Sequence, residues 1–251
     1  MDAPAVEDRP EDRPSELRRP PTDWHGLRVW LAAALVMTVI AIAVGWALVH
    51  PLSSSVGRFD DRVARWLAAR RTPTWDDVTW VGSGSAEAVV KITAVIVLGS
   101  LFAWRWRRWN ESALLAGALV LEVSVFVVSS FVVGRSRPPI RPLDSVPPTS
   151  SFPSGHTAAA VAFYGALAII VWWHVRKPVI RAVALTVAIV MPFVVGLSRM
   201  YRGMHHLSDV VVGMVMGAVS LWVTYRVVRP VAAPDAVDTR DRSEVAVRTA
   251  A

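Results

Sequence analysis

Apolar residues in this chain come in long unbroken runs, parted by short blocks of arginine, aspartate and proline. A helix needs roughly 20 apolar residues to cross the hydrocarbon layer of a bilayer. Six windows reach that length, at about residues 27–49, 86–104, 112–134, 155–174, 179–197 and 207–228. Within them the apolar character is continuous and includes Gly and Ala instead of alternating from residue to residue, which argues against a membrane β-barrel. The pattern predicts an all-α fold: a polytopic membrane protein with a six-transmembrane-helix bundle.

Between the first two windows, residues 56–71 read VGRFDDRVARWLAARR. Val56, Phe59, Val63, Trp66 and Leu67 recur at helical spacing against an Arg and Asp face, so an interfacial amphipathic helix is expected here. Such a helix either covers the bundle or gathers substrate at the surface. Residues 1–25 are rich in Pro, Asp, Glu and Arg, too polar to offset the entropy of ordering the chain. A disordered cytoplasmic tail is expected there and another at 230–251, leaving 26–229 as the membrane domain. The start lacks the basic segment, short apolar core and small-residue cleavage site of a signal peptide, so the first apolar run reads as a retained span. Trp104, Trp106, Trp109, Trp172 and Trp173 stand beside span ends, where interfacial anchors belong.

At 251 residues, 53% hydrophobic and a mean hydropathy of +0.41, the chain is too apolar for an ordinary soluble domain. Its net charge of +7 is almost wholly arginine, the lysines being Lys91 and Lys177, and that sign suits anionic headgroups or phosphate esters. The basic residues sit in short blocks between apolar runs and not on one soluble face, so no nucleic-acid partner is expected. With no cysteine, there is neither a disulfide framework nor a thiolate metal site.

Basic residues gather at Arg18, Arg19 and Arg28, at Arg105, Arg107 and Arg108, at Arg176, Lys177 and Arg181, and at Arg226 and Arg229. In a six-span chain all of these lie on one side, which the positive-inside rule makes cytoplasmic. Both termini are then inside, and the loops at 135–154 and 198–206 face outward. Arg58, Arg62, Arg65, Arg70 and Arg71 of the interfacial helix fall on the outer side and run against that rule. Nothing in the pattern specifies an oligomeric state.

Three stretches depart from the apolar background in ways that packing does not require: GRSRPP at 134–139, SFPSGHT at 151–157 and SRMYRGMHHLSD at 198–209. The six-span topology puts all three on one membrane face. In the second, Ser154 is a good N-cap and Gly155 allows close backbone approach where the fourth span begins. Free N–H groups and the positive dipole end of a helix attract phosphate oxygens, and His156 stands beside them. An ordinary capped helix with an interfacial histidine has the same local pattern. In the third stretch, His205 and Asp209 are four residues apart, on one face of the opening turn of the sixth span. A carboxylate there accepts the Nδ1–H and leaves Nε2 free as nucleophile or base, although a structural His–Asp pair has the same spacing. Arg137, Arg199 and either Arg135 or Arg202 offer planar donors matched to phosphate oxygens. For Arg202 and Arg141, contact with lipid headgroups is the simpler reading. Glu122, mid-span in the third helix, reads as a structural hydrogen-bonding group too deep for the outer site.

Together the three stretches resemble the type 2 phosphatidic acid phosphatase (PAP2) family, the membrane-bound branch of the vanadium haloperoxidase-like superfamily. The family pattern is Lys, six residues, Arg-Pro; then Pro-Ser-Gly-His; then Ser-Arg, five residues, His, three residues, Asp. Here Arg137 and Pro138, residues 153–156, and Ser198 and Arg199 with His205 and Asp209 fall in register, and the likeness extends over about residues 86–228. The resemblance implies that His205 is the nucleophile, Asp209 orients it, His156 protonates the leaving group, and Arg137, Ser154, Gly155 and Arg199 bind the phosphoryl oxygens. It further implies hydrolysis of a membrane lipid phosphate or polyprenyl pyrophosphate through a phosphohistidine, with no metal and no cofactor. The residue chemistry is compatible: arginines and a helix start would take the charge that magnesium takes in other phosphoryl-transfer enzymes. A non-catalytic lipid-binding or transport protein retaining the fold is the alternative, and both histidines and Asp209 stand against it. One position departs from the pattern. Its leading Lys is Ser130 here, and Arg135 or Lys91 is the candidate for the missing phosphate-binding cation.

Overall fold

The computed structural model describes residues 22–85, 87–107 and 109–228, so the expected tails lie outside the described residues except for 22–25. Its helices are α1 (Trp24–Val49), α2 (Arg58–Ala68), α3 (Pro73–Gly84), α4 (Ala88–Trp106), α5 (Asn110–Val133), α6 (Gly155–His174), α7 (Pro178–Tyr201) and α8 (Leu207–Val227), with a π-helical turn at Ser53–Gly57. There is no strand among the described residues. Six of these helices, α1 and α4 to α8, are long and apolar enough to cross a bilayer, and the protein is a multi-pass all-helical membrane protein.

The helix boundaries follow local chemistry. Asp23 caps α1 through a hydrogen bond from the Gly26 N–H (2.7 Å). Gly134 closes α5 with φ at +61°, a left-handed conformation in which a side chain would be strained. The interfacial segment differs from expectation. The amphipathic helix is shorter than residues 56–71, and a second short helix, α3, follows it. Thr72 and Pro73 supply the start signal for α3: the Thr72 hydroxyl accepts from the Trp75 N–H (3.3 Å) and Pro73 occupies the first turn.

α6 is the central helix, packed against α5, α7 and α8. In lipid no hydrophobic force drives helices together, so they associate by close approach of small residues. α8 meets α6 in this way: a Cβ on Gly213 would lie 2.5 Å from the Ser154 carbonyl oxygen, and one on Gly217 would lie 2.3 Å from that of Ala158. Ala158, Ala160, Ala162 and Ala166 of α6 are fully buried. Large apolar residues of α1, α4 and α7, such as Leu35, Ile96 and Val183, are exposed on the outside, as a lipid-facing surface requires. Trp104, Trp109 and Trp172 are exposed near span ends. Trp106 and Trp173 are half-buried instead, stacked on His174 (3.8 Å between centroids) and Tyr225 (6.2 Å).

Candidate active site

The three polar stretches are stitched together at one end of the bundle. The loop after α5 runs over this end before it enters α6, and the Ser151 N–H donates back to the Arg135 carbonyl (2.9 Å). The turn between α7 and α8 lies beneath it: the Ser154 N–H donates to the Asp209 carbonyl (3.0 Å) and the Leu143 N–H to the Arg202 carbonyl (3.0 Å). Gly155 starts α6 directly against the Phe126 ring, which a Cβ would approach to 3.0 Å.

His205 is 4% exposed, and its Nδ1 lies 2.6 Å from the Ser151 carbonyl oxygen. A carbonyl only accepts, so Nδ1 carries the proton and Nε2 holds the free lone pair. Burial and the neighbouring Arg199, Arg137 and His156 hold the His205 pKa well below the usual histidine value, against the opposing pull of the Ser151 carbonyl. The expected direct contact with Asp209 is not made. The Asp209 carboxylate accepts instead from the His206 main-chain N–H (2.8 Å), from the Ser151 hydroxyl and from Arg135. Asp209 sits at the third position of α8, where it completes a capping box with His206, so its reach to His205 passes through Ser151.

Three buried nitrogens around this histidine have no hydrogen-bond partner: Arg137 Nε, Arg199 Nε and His156 Nε2. Arg137 is anchored by donation to the Met204 and Thr149 carbonyls, and Arg199 by donation to the Ser83 hydroxyl (2.8 Å) and to Asp144 (3.5 Å). The nearest carboxylate to His156 Nε2 is that of Glu87, at 3.5 Å. Leaving a buried polar group unmatched costs about 1–3 kcal/mol, and the two arginine N–H groups are donors that an anion can match. Ser154 is fully buried with its hydroxyl on that of Thr157 (2.9 Å), and the Gly155 N–H at the start of α6 has no intrahelical acceptor. A cleft of about 540 Å³, lined in part by Ser130, Arg137, Thr149 and Gly203, opens beside Arg137.

Four expectations change. Arg135 is not an available cation: one terminal nitrogen donates to Asp60 of α2 (2.8 Å) and the other to Ser208 (2.7 Å) and Asp209. Lys91 donates from Nζ to the His156 carbonyl (3.1 Å) and lines a separate cavity between α4, α5 and α6. Glu122 lines that same cavity with His156, so it is not remote from the site; α6 begins at the level of Phe126, well below the end of α5. Arg202 is 5% exposed and chelates Asp144 (2.6 and 2.9 Å), which raises its pKa, so it holds the loop and does not meet lipid headgroups. Ser130 accepts from the Ser150 N–H (3.1 Å) and supports the loop where a lysine stands in the family pattern.

Sequence reasoning passed over Asp60, Ser83, Asp144 and Ser151. Asp144 was the most accessible of these, as an acid inside the outer loop, whereas Ser83 belongs to the unexpected α3.

Buried histidines and arginines thus gather at one end of a bundle of six apolar spans. The PAP2 superfamily model matches residues 111–232, a stretch that contains all three polar motifs. Among solved structures, it resembles the transmembrane PAP2-type phosphatidylglycerolphosphate phosphatase of Bacillus subtilis, with a TM-score of 0.64 and 21% identity over 81% of this chain and 95% of that one. It also resembles LpxE of Aquifex aeolicus, with a TM-score of 0.53 and 24% identity over 66% of this chain and 93% of that one. No curated protein sequence matches the chain.

Proposed function

We propose that this protein is an integral membrane phosphatase that hydrolyses a lipid phosphate monoester or a polyprenyl pyrophosphate through a phosphohistidine at His205. The observation that carries this reading is the set of three unmatched buried nitrogens, on Arg137, Arg199 and His156, around an imidazole whose Nε2 is free. The PAP2 family match and the phosphatase fold of the Bacillus subtilis protein support it.

In this mechanism the phosphoryl oxygens accept from Arg137, Arg199 and the α6 start, which take up the charge spread over them in the transition state. His205 Nε2 attacks phosphorus in line, and the bond to the leaving oxygen breaks as protonated His156 delivers its proton. The Ser151 carbonyl holds the Nδ1 proton while the ring gains positive charge. His156, now neutral, takes a proton from water, whose oxygen displaces His205 and releases inorganic phosphate. No step calls for a metal or cofactor. Basic blocks on the opposite side support an outward-facing site with both termini in the cytoplasm.

The test is phosphate release from phosphatidate by the purified protein in detergent with EDTA present. Release is expected, with a label on the protein that is stable to alkali and lost in acid, as a phosphohistidine is. His205→Ala should lower turnover by at least about a thousandfold. No release from a panel of lipid mono- and pyrophosphates would favour a non-catalytic lipid-binding or transport role, and loss of activity in EDTA would point to a metal.

A further inference from the structure

A cavity of about 310 Å³ lies between α4, α5 and α6, with His156 and Gly155 in its wall and side chains such as Val95, Leu119 and Phe126 making it otherwise apolar. Two ionisable groups interrupt that wall. Glu122 is 2% exposed and makes no hydrogen bond or ion pair among the described residues. Lys91 is 6% exposed and gives one hydrogen bond, to the His156 carbonyl, leaving two ammonium protons unmatched among the described residues. Ionisable groups inside a membrane span are costly, and they persist where function uses them.

Their depth suits a ligand held at the reaction site. Gly155 rests on Phe126, and Glu122 lies one helical turn below Phe126, about 6 Å further into the membrane. Lys91 touches the first turn of α6 directly. Resting on the reading of the chain as a lipid phosphatase, we propose that this groove takes the substrate's hydrocarbon chain and that Lys91 reads the chain's linkage by donating to an ester carbonyl. In a glycerolipid phosphate an ester carbonyl carbon stands about five bonds from phosphorus, or roughly 6 Å. A polyprenyl chain presents only hydrocarbon at that depth and leaves Lys91 unmatched. Lys91 is thus a specificity-determining residue and acts away from the phosphoryl oxygens.

The experiment compares kcat/KM for an ester-linked phosphatidate with that for its dialkyl ether analogue of equal chain length, in mixed micelles. The wild type should prefer the ester by about tenfold or more, since a site built to donate a hydrogen bond rejects an analogue that lacks the acceptor. In Lys91→Met the ratio should fall near one, and Lys91→Arg should restore part of it. A ratio taken within one preparation is insensitive to partial misfolding. A wild-type ratio near one, or an unchanged ratio in Lys91→Met, overturns this inference and leaves the phosphatase reading intact. No release from any lipid phosphate overturns both.

Discussion

Arg135 and Arg137 stand two residues apart on one loop, yet their surroundings differ in kind. Arg135 is 7% exposed, and both its terminal nitrogens are spent on carboxylates, Asp60 from α2 and Asp209 from α8. Arg137 holds two main-chain carbonyls with its terminal nitrogens and keeps a buried Nε with nothing to bond. The first region is a closed network, in which Asp60 also accepts from the Ser208 main chain (3.1 Å) and so fixes the amphipathic helix to the start of α8. The second, shared with Arg199 and His156, is left open. A closed network contributes to stability and an open one is completed by a ligand, so substitutions in the two should separate folding from turnover.

The largest effect is expected in the closed network. Arg135→Gln leaves Asp60 and Asp209 buried without their cation, and breaking a buried pair in this way costs about 3–5 kcal/mol. Thermal unfolding in detergent should show a fall on the order of 10 °C for a chain of this size. Adding Asp60→Asn to Arg135→Gln removes one stranded charge and should recover part of the loss. A melting temperature unchanged by Arg135→Gln would mean that the network does not form.

The open cluster should behave in the opposite sense. Arg199→Ala removes a donor that the proposed mechanism directs at the phosphoryl group, and loss of one such donor lowers kcat by about 10²–10³. Arg202 continues to hold Asp144 in that variant, so unfolding should move much less than in Arg135→Gln. If Arg199→Ala melted as early as Arg135→Gln, the distinction between an open and a closed region would collapse.

The sequence carried the six spans plainly, because bilayer thickness sets a length that few other folds need, and the motif residues stood out against that apolar background. It did not carry the division between Arg135 and Arg137. Asp60 is 75 residues from Arg135 along the chain, and no local spacing links them. Asp209 misled for a related reason. Its four-residue distance from His205 fits a direct bond, but the capping demand of the α8 start draws the carboxylate to His206 and Ser151. Glu122 lies nearer the site than its mid-span place in α5 suggests, because α6 begins about two turns below the end of α5. The motif residues were legible along the chain; the capping demand at α8 and the registers between helices were not.

The smallest effect concerns proton uptake by His205, which lies against the open cluster and is kept neutral by burial and by Arg199 and Arg137. The folded protein holds this ring unprotonated below the ordinary histidine pKa, near 6.5, while the unfolded chain takes up the proton. Below that value the unfolded state binds more protons, so stability falls as pH falls, by about 1 kcal/mol between pH 6.5 and 5.5. Above it the contribution is flat. His205→Asn lacks the titrating ring, so over that interval the wild type should lose roughly 2–4 °C of melting temperature relative to the variant. Equal losses in both would mean that His205 titrates alike in the folded and unfolded chains, and that the arginines beside it do not act on its ring.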